Sequence, residues 1–277
     1  RGGTPPAYDV PPWSLDAPGD AQVLVWSEQG YGDTLQFVRY LPMVVERAGR
    51  VILEVHPNLR ALLKDYAGAH SVAPGEPLPD YDCHIPLMSL PRVFGTTVET
   101  IPADVPYLAA DPARVAPWRD RLAGVGRAIG LSWRGNPDNP NDRYRSVDPA
   151  LLKPLLNAPD CRFYSLQKAP AAGDREVLAG QGPIVDLGPE LGDFHETAAV
   201  IEALDLVISV DTATAHLTGA LGKAGWLMLP FVPDWRWLLD RDDSPWYPSL
   251  RLFRQSAPGT WPDVLARMVA ALGAADG

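Results

Sequence analysis

Two groups of residues in this chain have the types and spacing to do chemistry. The first is the loop Glu28-Gln29-Gly30-Tyr31-Gly32-Asp33, set between an apolar run and a helical repeat. A Gly-x-Gly turn after a strand ordinarily lets main chain approach a phosphate, but a carboxylate directly behind the glycines would repel one. Gly30, Gly32 and Gln36 are therefore assigned to the close approach of an acceptor substrate, and Asp33 to a general base that takes its proton. Asp33 also fits a plain helix cap, a position aspartate often fills. A helix start favours the charged carboxylate and so weakens it as a base, which keeps Glu28 in reserve.

The second group is basic or phosphate-friendly and lies in the other half of the chain. It comprises Arg134, Gly135 and Asn136, then Arg143 and Arg145, Lys168, and the run Asp211-Thr212-Ala213-Thr214. Each follows a segment that reads as a strand, and in open α/β sheets ligands bind beyond the carboxyl ends of strands. A helix starting at Asp211 or Thr212 would point free N–H groups and the positive end of its dipole at an anion. An ordinary capped helix accounts for the same residues. His216, one turn in, fits a ligand contact or a satisfied core histidine equally well. No G-x-S-x-G elbow holds a nucleophilic serine, and no histidine spacing suits a metal. Asp80/Asp82 and Asp240/Asp242 form D-x-D pairs, a pattern common enough to occur twice here; no metal is expected.

The elements that must position these groups follow from periodicity. Residues 23–27 and 51–55 read as buried parallel strands, and between them Leu35, Val38, Leu41, Val45 and Ala48 recur at helical spacing, with a kink expected at Pro42. Residues 56–66 read as a second helix, and 73–106, dense in proline, as irregular loop. A helical linker is expected over 112–127. From residue 128 strands and helices alternate again: strands over 128–133, 162–166, 183–187, 205–210 and 225–229, helices over 148–156, 174–179, 193–204, 212–222 and 260–272. Asp193 and Glu196 have capping-box spacing. Trp235, Trp237, Trp246 and Tyr247, set among charges, suit a seam between domains or a platform for a base or sugar. Two such halves predict an α/β chain with Rossmann-like domains at 1–111 and 128–277, facing one another.

With 277 residues, 46% of them hydrophobic, the chain can bury full cores, and its net charge of −10 excludes a nucleic-acid or anionic-membrane surface as the main partner. The two cysteines, Cys83 and Cys161, suggest neither a zinc site nor a disulfide framework. No apolar run reaches the length of a membrane span. These features point to the cytoplasm.

Several long stretches in order, "EQGYGDTLQFVRYLP", "SLQK", "LDLVISVDTATAHLTGALG" and "PDWRWLLDRDDSPWYPSLRLFRQ", resemble the glycosyltransferase domain that many bacterial proteins carry after a tetratricopeptide-repeat array, a relative of the heptosyltransferases. The resemblance implies a GT-B fold of two Rossmann-like doubly wound domains facing across a cleft, acceptor side first and nucleotide-sugar side second. It places the base on Asp33 of G-x-G-D, a donor-binding lysine on Lys168, and the D-T/S-x-x-x-H helix start on Asp211, Thr212 and His216. Heptosyltransferases usually have glycine where this chain has Ala213, so donor and acceptor stay open between lipopolysaccharide, protein and other glycan chemistry. An upstream repeat segment is expected, since the chain begins at Arg1 without methionine.

The expected activity is metal-independent, inverting transfer from a nucleotide sugar, used as substrate and not as cofactor, to an acceptor hydroxyl on a protein or glycan. The rivals are a nucleotide-sugar epimerase, which would need no acceptor, and a non-catalytic module that binds a glycan or protein. A dehydrogenase ranks last, because GYGD lacks the third glycine of a dinucleotide-binding turn.

Overall fold

A computed structural model of the chain describes residues 8–168 and 170–274. They form two compact units: one runs to Pro102 and takes in Asp193–His195, and the other comprises Ala103–Gly192 and the chain from Glu196 onward.

In the first unit β1 (Gln22–Trp26), β2 (Arg50–Glu54), β3 (His70–Val72) and β4 (Cys83–Pro86) form one parallel sheet in the order β3-β2-β1-β4. Val23, Leu24 and Val25 of β1 are wholly buried, as an unbroken apolar run requires when both faces of a sheet are covered. The helical repeat after β1 is split into Tyr31–Phe37, a 3-10 turn Val38–Tyr40 and Leu41–Val45. Pro42 lies in the first turn of the last piece. A proline there needs no N–H partner, whereas in an unbroken helix it would clash with the carbonyl four residues back.

Two expectations for this unit are corrected. The helix over 56–66 is only Pro57–Arg60, because the chain turns through Asp65 and Ala67, both at φ +54°. The segment 73–106 is not wholly irregular: it contains β4 and the short helical turns Leu87–Ser89 and Leu90–Val93.

The second unit is a six-stranded parallel sheet of β5 (Arg127–Ser132), β6 (Cys161–Ser165), β7 (Ile184–Asp186), β8 (Leu206–Val210), β9 (Gly225–Leu229) and β10 (Leu250–Arg254), in the order β10-β9-β8-β5-β6-β7. Counted from β7 this is the doubly wound order 3-2-1-4-5-6. Ile129, Leu131, Ile208, Val210 and Met228 form its core with Val264, Leu265 and Met268 of the helix Trp261–Ala274. The helix Pro112–Leu122 belongs to this unit. Glu196 turns its carboxylate to Arg114 Nη1 (2.7 Å) and Trp118 Nε1 (2.5 Å).

Strand order reverses once in each sheet, between β1 and β4 and between β5 and β8. Such switch points leave a crevice at the carboxyl ends of the strands, because the flanking helices diverge to opposite faces. The loop at 28–33 follows β1 at the first of these points, and Arg134–Asn136 and Asp211–Thr214 follow β5 and β8 at the second; Lys168 follows β6, one strand away.

Candidate active site

Ser132 of β5 stands opposite Ser209 of β8, so the segments leaving these strands are neighbours. After β8 the chain passes through Asp211 and Thr212 into the helix Ala213–Ala220. Thr212 is the N-cap residue, in extended conformation (φ −144°, ψ 173°), and gives the first turn no side-chain hydrogen bond. Its hydroxyl lies 3.1 Å from Ser209 Oγ instead. The amides of Ala215 and His216 donate to Thr212 O at 3.0 and 3.3 Å, which leaves those of Ala213 and Thr214 at the positive end of the helix dipole.

Arg145 brings a fixed cation to this turn. Its Nη1 donates to the Asp211 carbonyl at 2.8 Å and its Nε to Asp142 Oδ1 at 3.1 Å. Gly135 makes room for the pair: a Cβ there would lie 2.2 Å from Asp142 Oδ1 and 2.5 Å from Arg145 Nε. A guanidinium has five N–H donors, so Arg145 retains several for an anion beside the helix start.

Behind this surface is a buried polar cluster. His216, 5% exposed, is hydrogen-bonded through Nδ1 to Tyr247 Oη at 2.9 Å, and its Nε2 is 3.7 Å from Asp211 Oδ1. Its ring stacks on Trp237 at 5.4 Å between centroids. Burial raises the Asp211 carboxyl to about 6, opposed by Arg145 and reinforced by the charge of Asp234. Asp234 caps the 3-10 turn Trp235–Trp237, accepting from Arg236 N at 3.1 Å and Arg236 Nη1 at 2.9 Å. Leu238 closes this turn at φ +53°, ψ −165°, a conformation a leucine adopts only under constraint.

Three predicted donor residues lie on the flank with other partners. Arg134 forms a two-point ion pair with buried Asp174 (Nε–Oδ2 2.7 Å, Nη2–Oδ1 3.1 Å), and the same carboxylate accepts from Trp133 Nε1 at 3.1 Å and Ala171 N at 3.2 Å. Its first task is to neutralise that carboxylate. Asn136 is exposed and its Oδ1 takes the Asp138 amide at 3.0 Å. Lys168, also exposed, follows β6, separated from β8 by β5, and donates to the Gly192 carbonyl at 2.5 Å. The structure thus gathers Arg145, Asp211, Thr212, Ala213 and His216, and sets Arg134, Asn136 and Lys168 apart.

At the switch point of the first unit, Asp33 is the third residue of the helix Tyr31–Phe37, and its Oδ2 accepts the Gly30 amide at 2.9 Å. The N-cap is thus Gly30 and not Asp33: the helix begins at Tyr31, earlier than the Thr34 expected, and Asp33 bonds back to the cap from inside its first turn. Gln29, just before it, is at φ +66°, a constrained conformation for a side chain of this size. Glu28 accepts the Met88 amide on Oε1 at 3.1 Å, across from the end of β4. Its Oε2 is buried without a hydrogen bond among the described residues. Burial raises the pKa of Glu28, and the nearby charge of Asp33 adds to that. Gln36 is wholly buried within the helix, away from the exposed Gly30.

No family model matches the chain. Protein FlbA of Caulobacter vibrioides is 30% identical over an alignment 298 positions long, gaps included, that takes in 96% of this chain and 49% of that protein; the chain spans about half the length of this curated relative. Among solved structures, the E. coli ADP-heptose lipopolysaccharide heptosyltransferase II superposes with a TM-score of 0.60 at 15% identity, covering 92% of this chain and all of that one (100%). A glycosyl transferase family 9 protein of Veillonella parvula gives 0.63 at 9% identity, with 87% and 88% covered. The chain has a GT-B fold.

Within this fold the sequence reading did not single out Asp142, Gln167 or Asp174, and it named Tyr247 only among the aromatics of a seam or platform. Gln167 is buried and its Oε1 accepts the Arg134 amide at 3.1 Å. Its place directly after a strand was a usable signal, whereas Asp174 and Tyr247 act through Arg134 and His216, 40 and 31 residues away, and Asp142 acts through Arg145, three residues on. Trp237 and Tyr247 pack on His216 inside the second unit. The D-x-D pairs have local roles: Asp82 Oδ2 accepts the Gln22 amide at 2.8 Å and the Asp242 carbonyl accepts from Leu252 N at 2.7 Å. Among the described residues no group of three or more His, Cys, Asp or Glu is placed to hold a metal ion. None of the described helices is long and apolar enough to cross a membrane.

Proposed function

We propose that the chain is an inverting, metal-independent glycosyltransferase that moves a sugar from a nucleotide-sugar donor to an acceptor hydroxyl on a protein or glycan. The observation that carries this reading is the uncapped start of the helix Ala213–Ala220, with Arg145 beside it, at the switch point of the second unit. An oxygen-rich diphosphate matches that combination of amides, dipole and guanidinium. The GT-B fold and the ADP-heptose named for one structural neighbour agree with it.

In the proposed reaction the acceptor oxygen bonds to the anomeric carbon while the bond from that carbon to the phosphate oxygen breaks. The electron pair leaves with the nucleoside diphosphate, and the hydroxyl proton passes to Asp33. A single displacement inverts the anomeric centre. The amides of Ala213 and Thr214, with Arg145, stabilise the departing charge, and Lys168 and Asn136 reach it from the flank once their present contacts are exchanged. Arg134 holds the loop through Asp174.

Asp33 is preferred to Glu28 as base because a base must present an oxygen to its substrate. Glu28 Oε2 is shut off from solvent and Oε1 is held by Met88, whereas Asp33 is only half-buried. A reducing cytoplasm, consistent with two free thiols, and an upstream tetratricopeptide-repeat segment remain part of this reading.

The test is Asp33→Asn, assayed as nucleoside diphosphate release from ADP-, UDP- and GDP-linked sugars with a cell extract supplying acceptors. Turnover should fall ~10²–10⁴-fold, the usual worth of general-base catalysis, with nucleotide affinity retained. A variant as active as the parent would reject Asp33, and sugar nucleotide converted without any acceptor would reject transfer.

A further inference from the structure

Trp235 is an exposed aromatic residue of the second unit whose surroundings hold it firmly. Its neighbours in the 3-10 turn Trp235–Trp237 are tied down: Arg236 is 7% exposed and Trp237 wholly buried. Trp235 itself is 56% exposed. The Arg236 guanidinium covers one face of its ring at 4.5 Å, and Trp246 lies against it in a T-shaped contact at 6.2 Å and 79°. The ring is thus fixed in orientation, and an indole held in this way offers an apolar plane at little conformational cost.

The position of that plane relates it to the anion site. Trp237, two residues on, stacks on His216 in the helix whose start is the candidate phosphate site; two residues of chain span at most ~7 Å. Asp234, on the other side of Trp235, is near enough to Asp211 for their charges to interact. Asp234 Oδ1 takes both Arg236 hydrogen bonds, and Oδ2 has none among the described residues.

We propose that Trp235 and Asp234 form the subsite for the sugar ring of the donor, with the C–H face of the ring on the indole and its hydroxyls donating to the carboxylates of Asp234 and Asp211. The inference rests on the donor reading of the helix start. Carboxylates accept from hydroxyls and repel phosphates, so an aromatic plane with the Asp234 carboxylate next to it in the chain suits a polyhydroxylated ring. The diphosphate that carries the ring goes to the amides and Arg145, where the charge is positive. Asp211, whose carbonyl accepts from Arg145 and whose Oδ1 is 3.7 Å from His216 Nε2, is assigned to the junction of phosphate and sugar.

The test compares binding of ADP-D-β-D-heptose, UDP-glucose and GDP-mannose with binding of ADP, UDP and GDP, by calorimetry on the parent, Trp235→Ala, Trp235→Phe and Asp234→Asn. For the nucleotide sugar that the parent binds, Trp235→Ala should weaken affinity about ten-fold, a common cost of truncating a well-held tryptophan contact, and leave the matching nucleoside diphosphate unchanged. Trp235→Phe should recover part of the loss. Asp234→Asn, which keeps a capping side chain, should weaken the sugar nucleotide alone. Equal losses for sugar nucleotide and nucleoside diphosphate, or no loss in either, would overturn the subsite while the donor reading stood. A parent that binds neither class of ligand would overturn both.

Discussion

A carboxyl group held at about 6 beside the proposed anion site couples proton binding to stability and to ligand binding. The folded chain holds the Asp211 proton more tightly than an unfolded chain, whose value is the ordinary 3.8. Between these values the native state carries more protons, so this group's contribution to stability falls as pH rises from about 4 to about 6 and is level above. Asp211→Asn should therefore gain in Tm relative to the parent as pH is raised through that window, while Arg145, Asp234, Arg236 and His216 keep their places. Affinity for a nucleoside diphosphate should decline more steeply in the parent than in the variant over the same range, because the ionised carboxylate repels phosphate. Parallel pH profiles for the two proteins, in melting and in binding, would show that Asp211 titrates where an ordinary aspartate does.

The helix Ala213–Ala220 reaches its position because small residues line its packed side. At Gly219 a Cβ would lie 2.3 Å from the Tyr247 ring, and that ring carries the hydroxyl bonded to His216. Gly219→Ala should cost about 1–3 kcal/mol, as overpacking does, and shift the urea midpoint accordingly; a variant as stable as the parent would mean that Tyr247 is not confined. Such contacts mark the limit of what the sequence discloses. The strand Leu206–Val210 and the helix after it were legible, since an unbroken apolar run followed by Asp-Thr and small residues has few other readings. β10 was not, because its residues alternate with arginines inside a segment dominated by tryptophan and aspartate. The expected helix over 148–156 is a 3-10 turn Pro149–Leu152 followed by Lys153–Leu156, since Pro149 and Pro154 each favour a first turn. Spacing identified Arg145 as a cation but could not distinguish it from Arg134, whose carboxylate partner lies forty residues away.

Taken whole, the chain places a carboxylate pair at the reversal point of one parallel sheet and the proposed anion site at that of the other. A protein of net charge −10 binds a nucleotide only where local donors outweigh the general field, and in the proposed reading the loop after β5 and the helix start after β8 supply them. The central claim is that this edge of the second unit grips the diphosphate of the donor. Hydrogen–deuterium exchange, followed with and without whichever of ADP, UDP and GDP raises the melting temperature, tests it most directly. Protection should rise at residues 211–216 and 143–147 and vanish in Arg145→Ala, with the loop at 28–33 unchanged. Protection centred on 28–33, or undiminished in the Arg145 variant, would contradict the account.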